Sequence, residues 1–136
     1  MLPDRRIYGT TDGEERHAHD GCPRTVRLLI EPATAGATHL AMGTEAVDPG
    51  SRIPVHVHDD AEEILFLYAG GGRARVGDEE IEIGPETAIF VPAGAPHGFV
   101  NTSAAPARLT WTFSPPGAHE KFRDEAVWKH ARRDPR

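Results

Sequence analysis

Apolar residues in this chain come in short alternating runs, not long stripes. TVRLLI (25–30), THLAMGTEAV (38–47), IPVHV (53–57), EILFLY (63–68), RARV (73–76), EIEI (80–83), TAIFV (87–91), HGFVN (97–101) and ARLTWTF (107–113) carry many β-branched and aromatic residues, the composition of strands. Between them lie EPATAG, DPG, GGG, GDE and VPAGAP, whose Gly, Pro and Asp residues favour turns. Strands recurring every ~8–12 residues predict an all-β sandwich or barrel over 25–117. The pattern changes past SPPG (114–117), where Phe122, Ala126 and Val127, with His130 or Ala131, form a rough helical stripe. One short C-terminal helix and tail over 118–136 is expected. Residues 1–24 are polar and broken by Gly and Pro, which predicts a loose N-terminal arm with at most a short strand near Ile7.

Composition narrows the picture. A chain of 136 residues, 38% hydrophobic and 26% charged, suits one turn-rich globular domain. The net charge is −6 and the cations are scattered, which argues against a phosphate-tracking surface and hence against nucleic acid as partner. The basic tail KHARRDPR reads as a solvated end, and His119 and His130 are expected to be solvated with it. A single cysteine, Cys22, excludes an internal disulfide framework and fits a reducing compartment. The first residues contain no apolar stretch of the ~7–15 residues of a signal peptide, and no apolar run reaches the ~18 residues of a membrane span. A cytoplasmic location without membrane contact is expected.

The chemistry concentrates in HVHDDAEE (56–63). Side chains alternate along a strand, so His56 and His58 face the same space, about 6.6–6.8 Å apart along the chain. Burying two imidazoles without partners costs several kcal/mol, and a divalent metal satisfies both. His97, after the turn VPAGAP, supplies a third nitrogen, and a glutamate supplies charge neutralisation. Periodicity does not separate Glu62 from Glu63, because EEILFLY is apolar on both alternating faces, as in a strand covered on both sides. His39 is a candidate for the same cavity, with a surface strand position as its ordinary reading. Phe99 and Asn101 share the face of His97, while Trp111 and Phe113 read as core. RHAHDGC (16–22), with His17, His19 and Cys22, resembles a ligand cluster but lies in the arm, where polar residues are usual.

GSRIPVHVHDDAEEILFLYAG (50–70) resembles the first cupin motif, with Gly50, His56, His58, Glu63 and Gly70 on the pattern. PAGAPHGFVN (92–101) resembles the second, with Pro92, Gly94, His97 and Asn101 in place. The resemblance implies a cupin double-stranded β-helix, or jelly-roll barrel, and a metal held by His56, His58, Glu63 and His97. The spacing to Gly70 selects Glu63 over Glu62. Fe, Mn, Ni, Cu or Zn would suit these ligands, with open positions left for a small-molecule substrate. Leu65 and Leu67 would line the cavity, and Ile64, Phe66 and Tyr68 would pack outward under another sheet or a partner subunit. Small cupins are often dimers, so a homodimer is expected, with RIY of the arm covering the partner's edge.

One departure stands out. The family opens its second motif with a glycine where this chain has Glu86, so a differently shaped loop is expected there.

From this resemblance the expected activity is dioxygenase-type, quercetinase-like chemistry on an enol, diketone or phenol. Isomerases, polyketide cyclases and lyases share the scaffold, as do non-catalytic small-molecule-binding cupins. Some lyases carry a catalytic tyrosine two residues after the glutamate, where this chain has Leu65. No acid or base is named by the motifs.

Overall fold

The computed structural model describes residues 5–131 and builds them into eleven antiparallel strands. In chain order these are β1 (Glu14–Ala18), β2 (Arg24–Ile30), β3 (Ala41–Val47), β4 (Arg52–His56), β5 (Glu62–Ala69), β6 (Gly72–Val76), β7 (Glu79–Ile83), β8 (Thr87–Val91), β9 (His97–Val100), β10 (Ala107–Ser114) and β11 (Trp128–His130). They form a seven-stranded sheet in the order β11-β1-β2-β3-β10-β5-β8 and a four-stranded sheet in the order β4-β9-β6-β7. This is the all-β cupin jelly-roll architecture expected from the strand spacing and the two motifs. No helix of the described residues is long and apolar enough to cross a membrane.

Alternation decides which face is core. Along β10, Ala107, Leu109, Trp111 and Phe113 point inward and are buried, as do Leu65 and Leu67 on β5 and Phe99 on β9. Each such large side chain contributes roughly 1.5–3 kcal/mol on burial. The indole Nε1 of Trp111 donates to the Thr44 carbonyl at 3.1 Å, which satisfies its one polar atom inside the core. Gly43 is required beneath it: a Cβ there would land on the Arg27 carbonyl and the Trp111 ring.

Two segments differ from the sequence reading. The arm is not loose over Glu14–Ala18, where β1 pairs with β2 on one side and β11 on the other; Ile7 is exposed and in no strand, and residues 1–4 lie outside the described residues. The expected terminal helix is a 3₁₀ helix at Ala118–Arg123 followed by β11; residues 132–136 of the expected tail lie outside the described residues. The physical cause is aromatic. Phe122 and Trp128 are both buried, edge-to-face at 5.3 Å, with Phe122 against Trp111 at 4.9 Å. A regular helix would place positions six apart on different faces; the open edge of β1 instead takes up residues 128–130. His119 is not solvated but 2% exposed. It accepts from the Gly117 N–H at Nδ1 and donates from Nε2 to Glu31 at 3.2 Å. Arg123 clamps both oxygens of the same Glu31 at 2.9 and 2.7 Å, so this polar group latches the 3₁₀ helix to the end of β2. His130 is exposed, as expected, on β11.

Candidate metal centre and its cavity

His56 closes β4 and pairs in register with His97, the first residue of β9, while His58 follows in the loop beyond β4. Glu63 comes from β5 in the other sheet, pointing inward one position before the exposed Ile64. The loop carrying His97 is tied to the first motif by the Gly94 N–H, which donates to the His58 carbonyl at 2.8 Å. Four side chains that are scattered in sequence therefore meet where the sheets join. One ligand atom from each of His56, His58, Glu63 and His97 lies within 4.8 Å of all the others. Glu62 is exposed on the opposite face of β5.

The donor atoms are oriented from behind. Nδ1 of His56 donates to the Pro54 carbonyl at 2.7 Å, and Nδ1 of His97 to the Ala95 carbonyl at 2.9 Å. These bonds fix the tautomers so that both Nε2 lone pairs face the shared space. Burial, with a further push from the Lys121 ammonium, drives the His56 and His58 imidazoles down to about 3, so both are neutral bases at ordinary pH. A cation is already drawn to them: Nζ of Lys121 donates to Nε2 of His56 at 2.9 Å and of His58 at 3.3 Å. Neutral imidazoles, a buried carboxylate and a cation seated on their lone pairs fit a divalent transition metal.

The cluster opens on a cavity of about 370 Å³. Ile53, Leu65, Phe99, Phe122, Val127 and Trp128 give it apolar walls. Its other polar groups are Lys121, Arg24, Asp20, Asp124 and Glu45. Burial lowers the Lys121 ammonium from its ordinary value, against the pull of Glu63 and Glu45. Burial raises the Glu45 carboxyl to about 7, although Lys121 and Arg24 oppose it.

Leu65 and Phe99 line this cavity, as the alternation implied, whereas Leu67, expected beside Leu65, is buried in the core instead. Two other candidates do not. His39 is exposed in the bend before β3, where only its carbonyl is used, accepting from Ser114 Oγ at 2.7 Å. The strand begins at Ala41, three residues later than the pattern suggested. Asn101 is fully buried, but its amide donates to the Val47 and Ala105 carbonyls at 2.9 and 2.8 Å while its oxygen accepts from Ser103. All its bonding capacity goes to closing the loop after β9 and tying it to the end of β3. His17, His19 and Cys22 do not converge: His17 meets Glu15, His19 meets the Glu125 carbonyl, and Cys22 is half-buried.

Lys121, Arg24 and Glu45 were missed by sequence reasoning. Glu45 did leave a signal, since it shares the alternation of Ala41, Gly43 and Val47 on β3 and thus puts a carboxylate in a core position. Lys121 left none, because its place depends on the 3₁₀ helix.

Comparison with known proteins agrees with the geometry. Residues 43–113 match the cupin domain. Protein SchB of Streptomyces halstedii is 36% identical over 90 residues, 66% of this chain and 65% of that protein. Tetracenomycin polyketide synthase protein TcmJ of Streptomyces glaucescens is 32% identical over 91 residues, 67% of this chain and 61% of that protein. The chain thus spans less than two thirds of the length of these curated relatives. Among solved structures, the polyketide cyclase RemF of Streptomyces resistomycificus is similar in fold, with a TM-score of 0.68 at 23% identity over 96% of this chain and 87% of that one. The cupin match, covering both motifs and the strands that carry them, shows that this chain belongs to the cupin family.

Proposed function

We propose that the protein is a metal-dependent enzyme acting on a small enolisable substrate of polyketide type, and that it promotes proton transfer and ring closure as a cyclase does. The observation that carries this reading is the convergence of three imidazole nitrogens and one carboxylate at the base of an apolar cavity. The polyketide names of TcmJ and RemF support the substrate class. His56, His58, Glu63 and His97 would hold Fe, Mn, Ni, Cu or Zn. A metal held there supplies Lewis acidity toward a carbonyl or enol oxygen.

The protein's own groups do the rest. Ile53, Leu65, Phe99 and Phe122 bury the apolar body of the substrate and exclude water from it. The Pro54 and Ala95 carbonyls hold His56 and His97 in register. Lys121 places an ammonium beside the site, where it can meet negative charge that develops on a substrate oxygen.

The dioxygenase reading uses the same ligands, so the test must separate the two. Protein loaded in turn with each metal is given an aryl-substituted polyketone, with and without air, and the products are weighed by mass spectrometry. A cyclised product of unchanged mass, separated from the substrate by chromatography, or one lighter by a water, formed without oxygen uptake, supports the cyclase reading. Gain of two oxygen atoms, dependent on air, overturns it in favour of oxygenation.

A further inference from the structure

Glu45 lies on β3 between Gly43 and Val47, is 4% exposed, and lines the same cavity as the ligand cluster. Its Oε2 is buried without a hydrogen-bond partner, as is Nε of Arg24, 3.3 Å away. The rest of the Arg24 guanidinium is satisfied elsewhere: Nη1 and Nη2 donate to Oδ1 and Oδ2 of Asp20 at 3.0 and 3.1 Å, and Nη1 also to the Cys22 carbonyl at 2.8 Å. Its face stacks on Trp128 at 4.7 Å. Asp20 already neutralises this cation, so Glu45 is not needed as its counter-ion. Glu45 keeps a charge contact to Arg24 at 3.3 Å, but its Oε2 has no aligned hydrogen bond, and a buried carboxylate so poorly satisfied serves the fold less well than an apolar residue would. Stability therefore gives no reason for it; a ligand that brings a hydrogen to it does.

We propose that Glu45 is the proton-accepting catalytic residue of this cavity, acting on an enol, a phenol or an activated C–H of a substrate whose oxygen faces His56, His58, Glu63 and His97. This rests on the metal-dependent reading above. The Glu45 oxygen forms an O–H bond as the C–H bond between two carbonyls breaks. The C–H electron pair becomes a carbon–carbon π bond, and the carbonyl π pair moves to oxygen, giving an enolate. The enolate carbon attacks a further carbonyl of the same molecule, beyond the two that flank it; that carbonyl's π pair moves to its oxygen, and Glu45 returns its proton to the alkoxide so formed. No oxidant or reductant is consumed. The groups facing Glu45 are Arg24 on β2, Lys121 on the 3₁₀ helix and Glu63 on β5, and with burial they leave its carboxyl near neutrality, where an acid–base group is most effective.

The test uses zinc-loaded protein and 2-naphthol, a bicyclic phenol that is neutral in solution at about pH 8, where Glu45 is ionised. Absorbance reports whether bound naphthol has lost its proton, and an indicator in weak buffer reports whether that proton reaches solvent. The parent and Glu45→Asp are expected to bind naphtholate with no proton released, because the anion beside the carboxyl raises it above the pH of the test and holds the proton there. Glu45→Gln, with unchanged zinc uptake as the measure of folding, is expected either to release about one proton per naphtholate bound or to hold neutral naphthol. Parent-like behaviour of Glu45→Gln, or proton release by the parent, would overturn the proposal while leaving the metal reading intact. Absence of zinc uptake by the parent would overturn that reading first, and this proposal with it.

Discussion

Nε2 of His97 and Oε1 of Glu63 stand 3.0 Å apart across the junction of the two sheets, and both are buried. With the Nδ1 proton of His97 on the Ala95 carbonyl, a neutral ring sets two lone-pair atoms face to face, an arrangement that a positive centre between or beside them satisfies. Elemental analysis of protein purified without added metal should find about one equivalent of a divalent transition metal, lost in His97→Ala. Glu63→Gln should weaken binding by about 100-fold or more, while Glu62→Gln should leave it unchanged. Equal losses at the two glutamates would refute the assignment.

Lys121 occupies the same lone pairs that a metal would take, at 2.9 and 3.3 Å. Removing its charge while keeping its apolar stem should strengthen metal binding, since two cations a few ångströms apart repel even in a moderately polar site. Lys121→Met is expected to raise affinity by about tenfold or more, read by competition with a chromophoric chelator. Weaker binding in this variant would show that Lys121 supports the metal instead of competing with it.

The titrating groups of the cavity set the pH dependence of the metal-free protein. His56 and His58, with folded values near 3, stay neutral where the unfolded chain protonates below about 6.5. The unfolded state then binds about two more protons, so these groups lower stability as pH falls from about 6.5 toward 3. Glu45, raised to about 7, does the reverse: its folded state holds a proton that the unfolded chain has lost, so stability falls as pH rises from about 4.5 to 7. Between about pH 4.5 and 6.5 the net uptake on unfolding is about one proton, and about two in Glu45→Gln. Urea unfolding free energies at three pH values measure both slopes, and a variant slope no steeper than the parent's would contradict the value at Glu45.

How much of this was legible follows from what each residue depends on. His56, His58, Glu63 and His97 could be read because two sequence motifs carry them, and a strand's period of two sets their facing. The strands of the body were readable for the same reason. His39 was misplaced because a strand boundary moved by three residues, and Asn101 because parity shows the face of a side chain, not whether its bonds are already taken. Lys121 and Arg24 reach the cavity through the packing of Phe122 and Trp128, a tertiary contact with no local periodicity. The same contact replaced the expected helix with β11.

On the outer face of β5 and β8, Ile64, Phe66, Tyr68 and Phe90 remain 50%, 37%, 39% and 54% exposed. Ile64 and Phe90 are direct cross-strand partners, and β8 ends the sheet. An apolar stripe beside an open edge is a liability unless something covers it. A second copy of the chain is the expected cover. Light scattering should give twice the chain mass for the parent and the chain mass for the double variant Ile64→Lys, Phe90→Lys, with unchanged circular dichroism. A monomeric parent would rule this out.

Glu86 has φ 66, at the position where the family pattern carries glycine. The loop has thus kept the left-handed turn and placed a side chain in it, rather than turning differently as the substitution suggested. The turn is held by the Glu86 N–H, which donates to the Leu67 carbonyl at 2.7 Å, so relaxation to negative φ would break a bond to β5. A non-glycine residue held there costs about 1–3 kcal/mol, and glycine removes that cost but loses more entropy on folding, by about 0.5–1 kcal/mol. The side chain is exposed, so little packing is forfeited. Glu86→Gly should therefore stabilise the protein by about 1 kcal/mol, a rise of a few degrees in Tm for a domain of this size. Glu86→Ala, which keeps a Cβ in the same conformation, should show no such gain. Equal effects of the two substitutions would mean that the glutamate charge, not its backbone, sets the stability of this turn.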